Sequence, residues 1–353
     1  MVYGGPTQSV HQLCRGLAHK GHSVTVLTTD ANGPRDVLDV DTSRETDLET
    51  GLKVRYCHRI LDVSVSPALL KLLPSYIRAA DVVHLTAVYS FPTIPTLFWC
   101  RRLRKPLVWS PRGMLQRWPE TPRTALKALW ETVCRFVSPR NAVLHCTSEA
   151  EAVESVARMR KMRVVVVPNG VEVMEDSGAP AAAAELNFLY LGRLHPIKGI
   201  ENLLEAFSRV SLPASLTIAG EGDAPYAAML KARAGERVRW LGAVDGSEKD
   251  ATFKSADCVV VPSHTESFGM VMAEALAHGV PVIASKGTPW KRVEEIGCGL
   301  WVDNDPQSLA DAMKRIASMP LREMGRRGRE WMQREFSIEA TTERMLQVYR
   351  ELM

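Results

Sequence analysis

The stretch HTESFGMVMAEALAHGVPVIAS, residues 264–285, holds Glu266 and Glu274 eight positions apart around the start of a helical pattern. Such a carboxylate pair suits acid/base chemistry, metal ligation, hydrogen bonding to sugar hydroxyls, or favourable charge placement at a helix start. Ser267 is the expected N-cap. The N–H groups near Phe268, Gly269 and Met270 then point past the helix end and form an anion site. Glu274 is expected about 7–9 Å down that helix, from a rise of about 1.5 Å per residue, while Glu266 stays in the loop. A diphosphate at the helix end would have Glu274 on one side, suited to a ribose diol, and Glu266 on the other, suited to the hydroxyls of a sugar.

Two further segments carry the same chemistry. LGRLHPIKG, residues 191–199, presents Arg193 and Lys198 on a loop after an apolar run. An arginine fork and a lysine point charge together can hold the two phosphates of a diphosphate. YGGPTQSVHQL, residues 3–13, is a glycine loop opening a helix, so Gly4 and Gly5 permit close backbone approach by a ligand. The chain begins almost on this loop, and the strand expected to feed it is missing.

The elements that must position these groups are short apolar strands alternating with longer helical patterns, the rhythm of parallel sheets covered by helices. Residues 22–30, 52–60, 81–88, 106–113, 142–150 and 164–171 read as strands of a first domain. Residues 187–194, 214–222, 238–244, 257–264 and 280–285 read as strands of a second. MEDSGAPAAAAEL, residues 174–186, is poor in large apolar groups and reads as a linker. Residues 29–51 read as a polar loop. The predicted class is therefore α/β with two Rossmann-like halves, and ligands gather at the carboxyl ends of such strands. His84 and Thr86 lie at one such end in the first half, where they could face an acceptor.

At 353 residues and 46% hydrophobic content the chain can bury two cores. Residues 1–178 carry 23 Lys/Arg against 17 Asp/Glu, and residues 97–140 carry ten Lys/Arg against Glu120 and Glu131 alone. That bias suggests a phosphate-bearing partner or an anionic membrane surface. Residues 91–109 and 123–140 interleave Phe98, Trp99, Trp130 and Phe136 with cations, as a lipid-facing surface would. The seven cysteines show no C-x-x-C spacing and cannot all pair, which points to a reducing cytoplasm and to neither zinc nor a disulfide framework. No apolar run reaches the roughly 18 residues of a spanning helix, so a soluble or peripheral protein is expected.

E-S-F-G-x-x-x-x-E followed by A-x-G-x-P-V-I-A, with G-R-L-x-x-x-K-G and P-N-G-V before it, resembles the retaining nucleotide-sugar glycosyltransferases of family 4. The resemblance covers nearly the whole chain. It implies a GT-B architecture of two facing Rossmann-like domains with a deep cleft: residues 1–173 for the acceptor, 187–335 for the donor, and a last helix, 336–353, crossing back. It implies that Arg193 and Lys198 neutralise the leaving diphosphate with help from Ser267, Phe268, Gly269 and Met270. Glu274 would bind the ribose, and Glu266 would bind donor sugar hydroxyls and help hold the anomeric carbon. Gly4 and Gly5 would approach the diphosphate, Asn169 and Gly170 would shape a strand end, Gly220, Glu221 and Gly222 would lie near the nucleotide, and the base would rest near 239–243.

One departure concerns Arg112-Gly113 in SPRGMLQ, where many family members place a histidine followed by glycine near the donor sugar. Arg112 can contact a sugar hydroxyl, a phosphate or an acidic sugar. By the same resemblance the reaction retains anomeric configuration, requires no metal or cofactor beyond the nucleotide diphosphate sugar as co-substrate, and takes a saccharide or lipid-linked saccharide acceptor, as in bacterial surface polysaccharide or lipopolysaccharide assembly. The expected location is the cytoplasm or the inner face of the plasma membrane. A GT-B-fold sugar-nucleotide epimerase and a silent nucleotide-binding scaffold share these features. A nicotinamide dehydrogenase fits poorly, since no G-x-G-x-x-G follows a strand, and nucleic-acid binding fits poorly because no recognised module accompanies the basic region.

Overall fold

The computed structural model describes residues 5–33, 36–60, 65–117, 124–160, 162–174 and 185–353. Gly4 and most of the expected linker lie outside them. The chain forms two compact units, one of residues 1–170 with 338–353 and one of residues 171–337.

Unit 1 contains, in chain order, α1 (Gly5–His19), β1 (Val24–Thr29), the short strands β2 (Ala31–Asn32) and β3 (Asp36–Val37), β4 (Thr46–Glu49), β5 (Leu52–Cys57), α2 (Pro67–Ala79), β6 (Val83–Thr86), α3 (Thr93–Leu103), β7 (Leu107–Ser110), α4 (Thr124–Val137), β8 (Ala142–Cys146), α5 (Glu149–Arg158) and β9 (Arg163–Val166). Strands β6-β7-β8-β9 make a parallel sheet. β1 pairs in parallel with β5, and β4 pairs antiparallel on the far side of β5. Among the described residues the two sheets share no ladder. The stretch expected as a polar loop, 29–51, thus contains β4 and the small antiparallel pair β2-β3. A core of Leu69, Leu97, Leu107, Trp109 and Leu144 fills the space between the β6–β9 sheet and its helices. The mostly apolar pattern of β7 and β8, broken by Ser110 and His145, follows from burial on both faces.

Unit 2 contains β10 (Leu186–Leu191), α6 (Ile200–Ser208), β11 (Ala214–Ala219), α7 (Ala224–Arg233), β12 (Val238–Gly242), α8 (Gly246–Lys254), β13 (Cys258–Val261), α9 (Met270–Ala277), β14 (Val282–Ser285), α10 (Arg292–Ile296), β15 (Gly299–Val302), α11 (Pro306–Ile316) and α12 (Leu321–Trp331). Its six strands are parallel in the order β12-β11-β10-β13-β14-β15. The order reverses between β10 and β13, the switch point at whose carboxyl edge sheets of this kind bind ligands. Apolar clusters on the two faces, one around Phe188, Leu216 and Ile283 and one around Leu189, Val259 and Leu276, hold the helices to it.

The last helix, α13 (Ile338–Leu352), belongs to unit 1 and lies against α1. A Cβ on Gly16 would stand 2.1 Å from Thr342 Oγ1, so a residue without a side chain sets how closely the two helices approach. Met345 and Val348 of α13 pack on Val108 and Val167 at the sheet.

Candidate functional site

In unit 2 the loops leaving β10 and β13 carry three of the predicted residues. Lys198 ends a short 3-10 turn, Pro196–Lys198, and its ammonium binds Glu266 Oε1. Ser263 Oγ donates to the same oxygen at 2.9 Å. The Glu266 backbone N–H is fixed on Gly287 C=O at 2.9 Å, so this loop is held from both ends. Arg193 sits on the β10 loop, exposed and with no carboxylate in salt-bridge range among the described residues.

Glycines explain why the Arg193 loop lies where it does. Gly220 has φ +147 and a Cβ there would meet Gly192 C=O at 1.8 Å, so residues 219–222 run directly beside 191–194. Leu194 N–H donates to Glu221 C=O at 2.8 Å, continuing the pairing of β10 and β11 beyond the strands. Gly199, at φ +63, leaves 2.1 Å between an added Cβ and Pro262 C=O, which brings the Lys198 turn onto the β13 loop. Gly220, Glu221 and Gly222 therefore shape the loop that carries Arg193.

The helix after β13 starts later than the sequence suggests. Its N-cap is Gly269 in the left-handed region, φ 83, with no side-chain cap bond, so Ser267 does not cap it. Phe268 is instead buried against Trp290, whose indole N–H donates to the Phe268 C=O. From Met270 the rise to Glu274 is about 6 Å, a little over one turn. Glu274 is buried, and its Oε1 binds Lys249 Nζ on α8 at 2.6 Å. Lys249 carries no motif of its own in the sequence. Its place beside Glu274 comes from the packing of α8 on α9, where Phe253 stacks on His278 at 4.8 Å and His278 Nε2 meets Asp250 Oδ1 at 3.2 Å.

Unit 1 brings a different set together. Arg112, at φ 53 just past β7, donates from Nη1 to Asn169 Oδ1. Both line a small cavity with Ser9, Gln12 and His145. Gly113 N–H donates to Glu151 Oε1 at 2.6 Å, so the buried carboxylate that faces Arg112 also fixes its loop. Gly5 opens α1, and Thr86 ends β6.

His84 engages both ring nitrogens within unit 1. Nδ1 meets Tyr349 Oη at 2.6 Å and Nε2 meets Ser110 Oγ at 2.6 Å; Ser110 Oγ in turn meets His145 Nδ1 at 2.7 Å, and His145 Nε2 meets Val167 C=O at 2.8 Å. A carbonyl only accepts, so it sets every proton in the chain. His145 Nε2–H donates to Val167, Ser110 O–H donates to His145, His84 Nε2–H donates to Ser110, and Tyr349 O–H donates to His84. Burial pushes the His145 imidazole down to about 3, aided by the nearby Arg112 cation, and lowers His84 well below its usual range. Both rings are neutral links fastening α13 to the sheet.

The basic region divides. Trp99 and Trp130 pack on the core of unit 1, and Trp130 Nε1–H donates to Val88 C=O at 2.8 Å. Phe98 and Phe136 are exposed, the latter 78% accessible with the Arg101 guanidinium 5.8 Å from its ring centroid. α4 faces outward with Leu126, Leu129, Val133 and Phe136, while Glu131 and Cys134 point in. Among the described residues no helix is long and apolar enough to cross a membrane, and no cluster of three metal-ligating side chains occurs.

A family model described as Glycosyltransferase Family 4 matches residues 3–175, and one described as Glycosyl transferases group 1 matches residues 185–319. Phosphatidyl-myo-inositol mannosyltransferase of Mycobacterium leprae is 38% identical over 182 residues, 46% of this chain and 48% of that protein. The chain spans about half the length of curated relatives that it matches at more than 30% identity. O-antigen chain mannosyltransferase C of Escherichia coli aligns over 99% of this chain and 93% of its own length at 23% identity. Among solved structures, Anabaena HepE in complex with UDP-glucose superposes with a TM-score of 0.74 over 99% of this chain and 96% of that one, at 15% identity. The fold is GT-B.

Proposed function

Because the chain belongs to the glycosyltransferases of group 1 and family 4, we propose that it transfers a hexosyl group from a nucleotide diphosphate sugar to a saccharide acceptor with retention of configuration. The observation that carries this reading is the grouping of Arg193, Lys198 and Glu266 on the loops at the carboxyl edge of β10 and β13, the switch point of unit 2. Arg193 and Lys198 neutralise the departing diphosphate, together with the first-turn N–H groups of α9. Glu274 takes the ribose, and Glu266 takes sugar hydroxyls. Held by Lys198 and Ser263, Glu266 is not offered as a covalent nucleophile. The acceptor hydroxyl therefore attacks C1 from the face the diphosphate leaves, the C1–O bond to phosphate breaks, and the leaving phosphate oxygen receives the acceptor's proton. Catalysis is then chiefly electrostatic stabilisation of that charge, with no metal or cofactor required. Residues 1–170 hold the acceptor on this reading.

The test is calorimetry against UDP, GDP, ADP and their sugar conjugates in EDTA, followed by NMR of the anomeric proton in the product. Binding of one nucleotide class and a retained anomer support the proposal; an inverted product overturns the mechanism. Release of an altered sugar nucleotide without acceptor would identify an epimerase, and binding without turnover a scaffold.

A lipid-linked acceptor at the inner face of the plasma membrane, in surface polysaccharide assembly, is the second part of the reading. The apolar stripe of α4, with Leu129 62% accessible, and the neighbouring Arg101, Arg102, Lys127 and Arg135 support it. An amphipathic helix of this kind lies in the interface of an anionic bilayer. We expect co-sedimentation with phosphatidylglycerol vesicles to fall in L129E/F136E while transfer to a water-soluble acceptor persists. Equal binding to neutral and anionic vesicles would remove this part.

A further inference from the structure

Lys249 is a buried-side cation that neither the motifs nor the proposed chemistry employs. Its Nζ stands 2.6 Å from Glu274 Oε1, with side chains 19% and 8% accessible. Phe253 lies below, its ring centroid 6.0 Å from Nζ. A lysine ammonium has three N–H donors. Among the described residues Glu274 is the one hydrogen-bond acceptor that Lys249 reaches, so donor capacity remains on a partly open group beside a carboxylate.

A hydroxyl both donates and accepts. A carboxylate alone satisfies its donor side and leaves its oxygen lone pairs unmet, whereas a carboxylate with an adjoining ammonium satisfies both. The α8–α9 contact supplies that combination, and it is fixed in place by the stack of Phe253 on His278 and the His278–Asp250 contact. A carboxylate reading a ribose diol through two donated hydrogen bonds thus has, at its side, a donor for one of the same two oxygens.

We propose that Lys249 is a donor-nucleotide binding residue: with Glu274 it reads the ribose diol of the nucleotide by donating to one of its hydroxyl oxygens, and so selects ribonucleotides over deoxyribonucleotides. The proposal rests on the assignment of Glu274 to the ribose and goes beyond it by naming a second residue and a specificity. A lysine serving only as counter-ion to Glu274 would support all nucleotides equally; a lysine that touches the hydroxyl supports only those that carry it.

The experiment is isothermal calorimetry of wild type, K249M, K249R and K249Q with whichever of UDP, GDP or ADP binds, and with its 2′- and 3′-deoxy counterparts. Thermal unfolding without ligand checks that each variant is folded. Wild type is expected to prefer the ribonucleotide, and K249M to bind it about tenfold or more weakly, the size of a lost hydrogen bond to a charged group. For at least one deoxy counterpart K249M is expected to match wild type within about twofold on the same scale. K249R and K249Q, which keep N–H donors, regain part of the preference. An equal loss on all three nucleotides makes Lys249 a counter-ion and overturns the inference while leaving the proposed function standing. Wild-type binding without ribose preference does the same. Absence of binding to any diphosphate by wild type sinks the proposed function and this inference with it. Should K249M be unfolded, K249A, which also lacks a donor, takes its place: a ratio of ribo to deoxy affinity unchanged from wild type in K249A overturns the proposal.

Discussion

Lowering the pH should loosen unit 1 through the chain that runs from Tyr349 to Val167. In the folded protein His145 stays neutral down to about pH 3, because it is buried and lies beside the Arg112 cation. In the unfolded chain it takes a proton near its ordinary value of 6.5. The unfolded state therefore binds more protons between these limits. Stability is full above pH 6.5 and is lost as the pH falls toward 3. At pH 5 His145 alone accounts for about 2 kcal/mol of lost stability, and His84, lowered for the same reason, acts in the same direction. Protonation also breaks the chain chemically. A charged His145 donates from Nδ1, so Ser110 O–H loses its acceptor and α13 loses part of its fastening. The assay is urea unfolding of the whole chain at pH 7.5 and 5.0, wild type against H145Q, which keeps a donor for Val167 C=O but does not titrate. The drop in stability between the two pH values should be smaller in H145Q by about 2 kcal/mol. Equal drops, or an NMR titration of the His145 ring with a midpoint near 6.5, would refute the assignment.

Replacing Lys198 or Arg193 by alanine should lower transfer turnover about 10²-fold or more, because each meets charge that develops on the leaving group; full turnover in K198A would remove its role. Gly220→Ala should destabilise unit 2 by about 2–4 kcal/mol, since the added Cβ lies 1.8 Å from a backbone carbonyl that cannot give way easily. A denaturation midpoint unchanged from wild type would contradict that geometry.

The alternation of apolar runs with helical patterns made most of the sheet strands legible, because strands buried on both faces are nearly continuous in Val, Ile and Leu. β15, Gly299–Val302, was missed: it opens on a glycine just after Gly297, and this glycine pair reads as a turn that masks the short apolar run behind it. β4 was missed for the opposite reason, since Thr46–Glu49 is a mostly exposed, polar edge strand whose existence depends on β5. Among site residues, Glu266, Lys198 and Arg193 stood out because each follows a strand on a glycine-bearing loop. Lys249 did not, because its partner lies 25 residues away on a neighbouring helix and only packing unites them. The bond of His84 to Tyr349 was not legible because the two lie 265 positions apart, beyond any local pattern. Ser267 misled because cap preference is a local tendency, and burial of Phe268 moved the helix start to Gly269.

The route of the chain through the two units bears on the order in which they fold. Unit 2 is one continuous segment, 171–337, whereas unit 1 is closed by residues synthesised after unit 2, 338–353. Until α13 arrives, Val108 and Val167 lack their cover and His84 lacks Tyr349. The unit begun first at the ribosome is thus finished second, reversing the usual vectorial order in which N-terminal domains complete before later ones emerge. During that interval unit 1 would display an uncovered apolar strip along its sheet, the kind of surface that chaperones hold and that favours aggregation when synthesis outpaces completion.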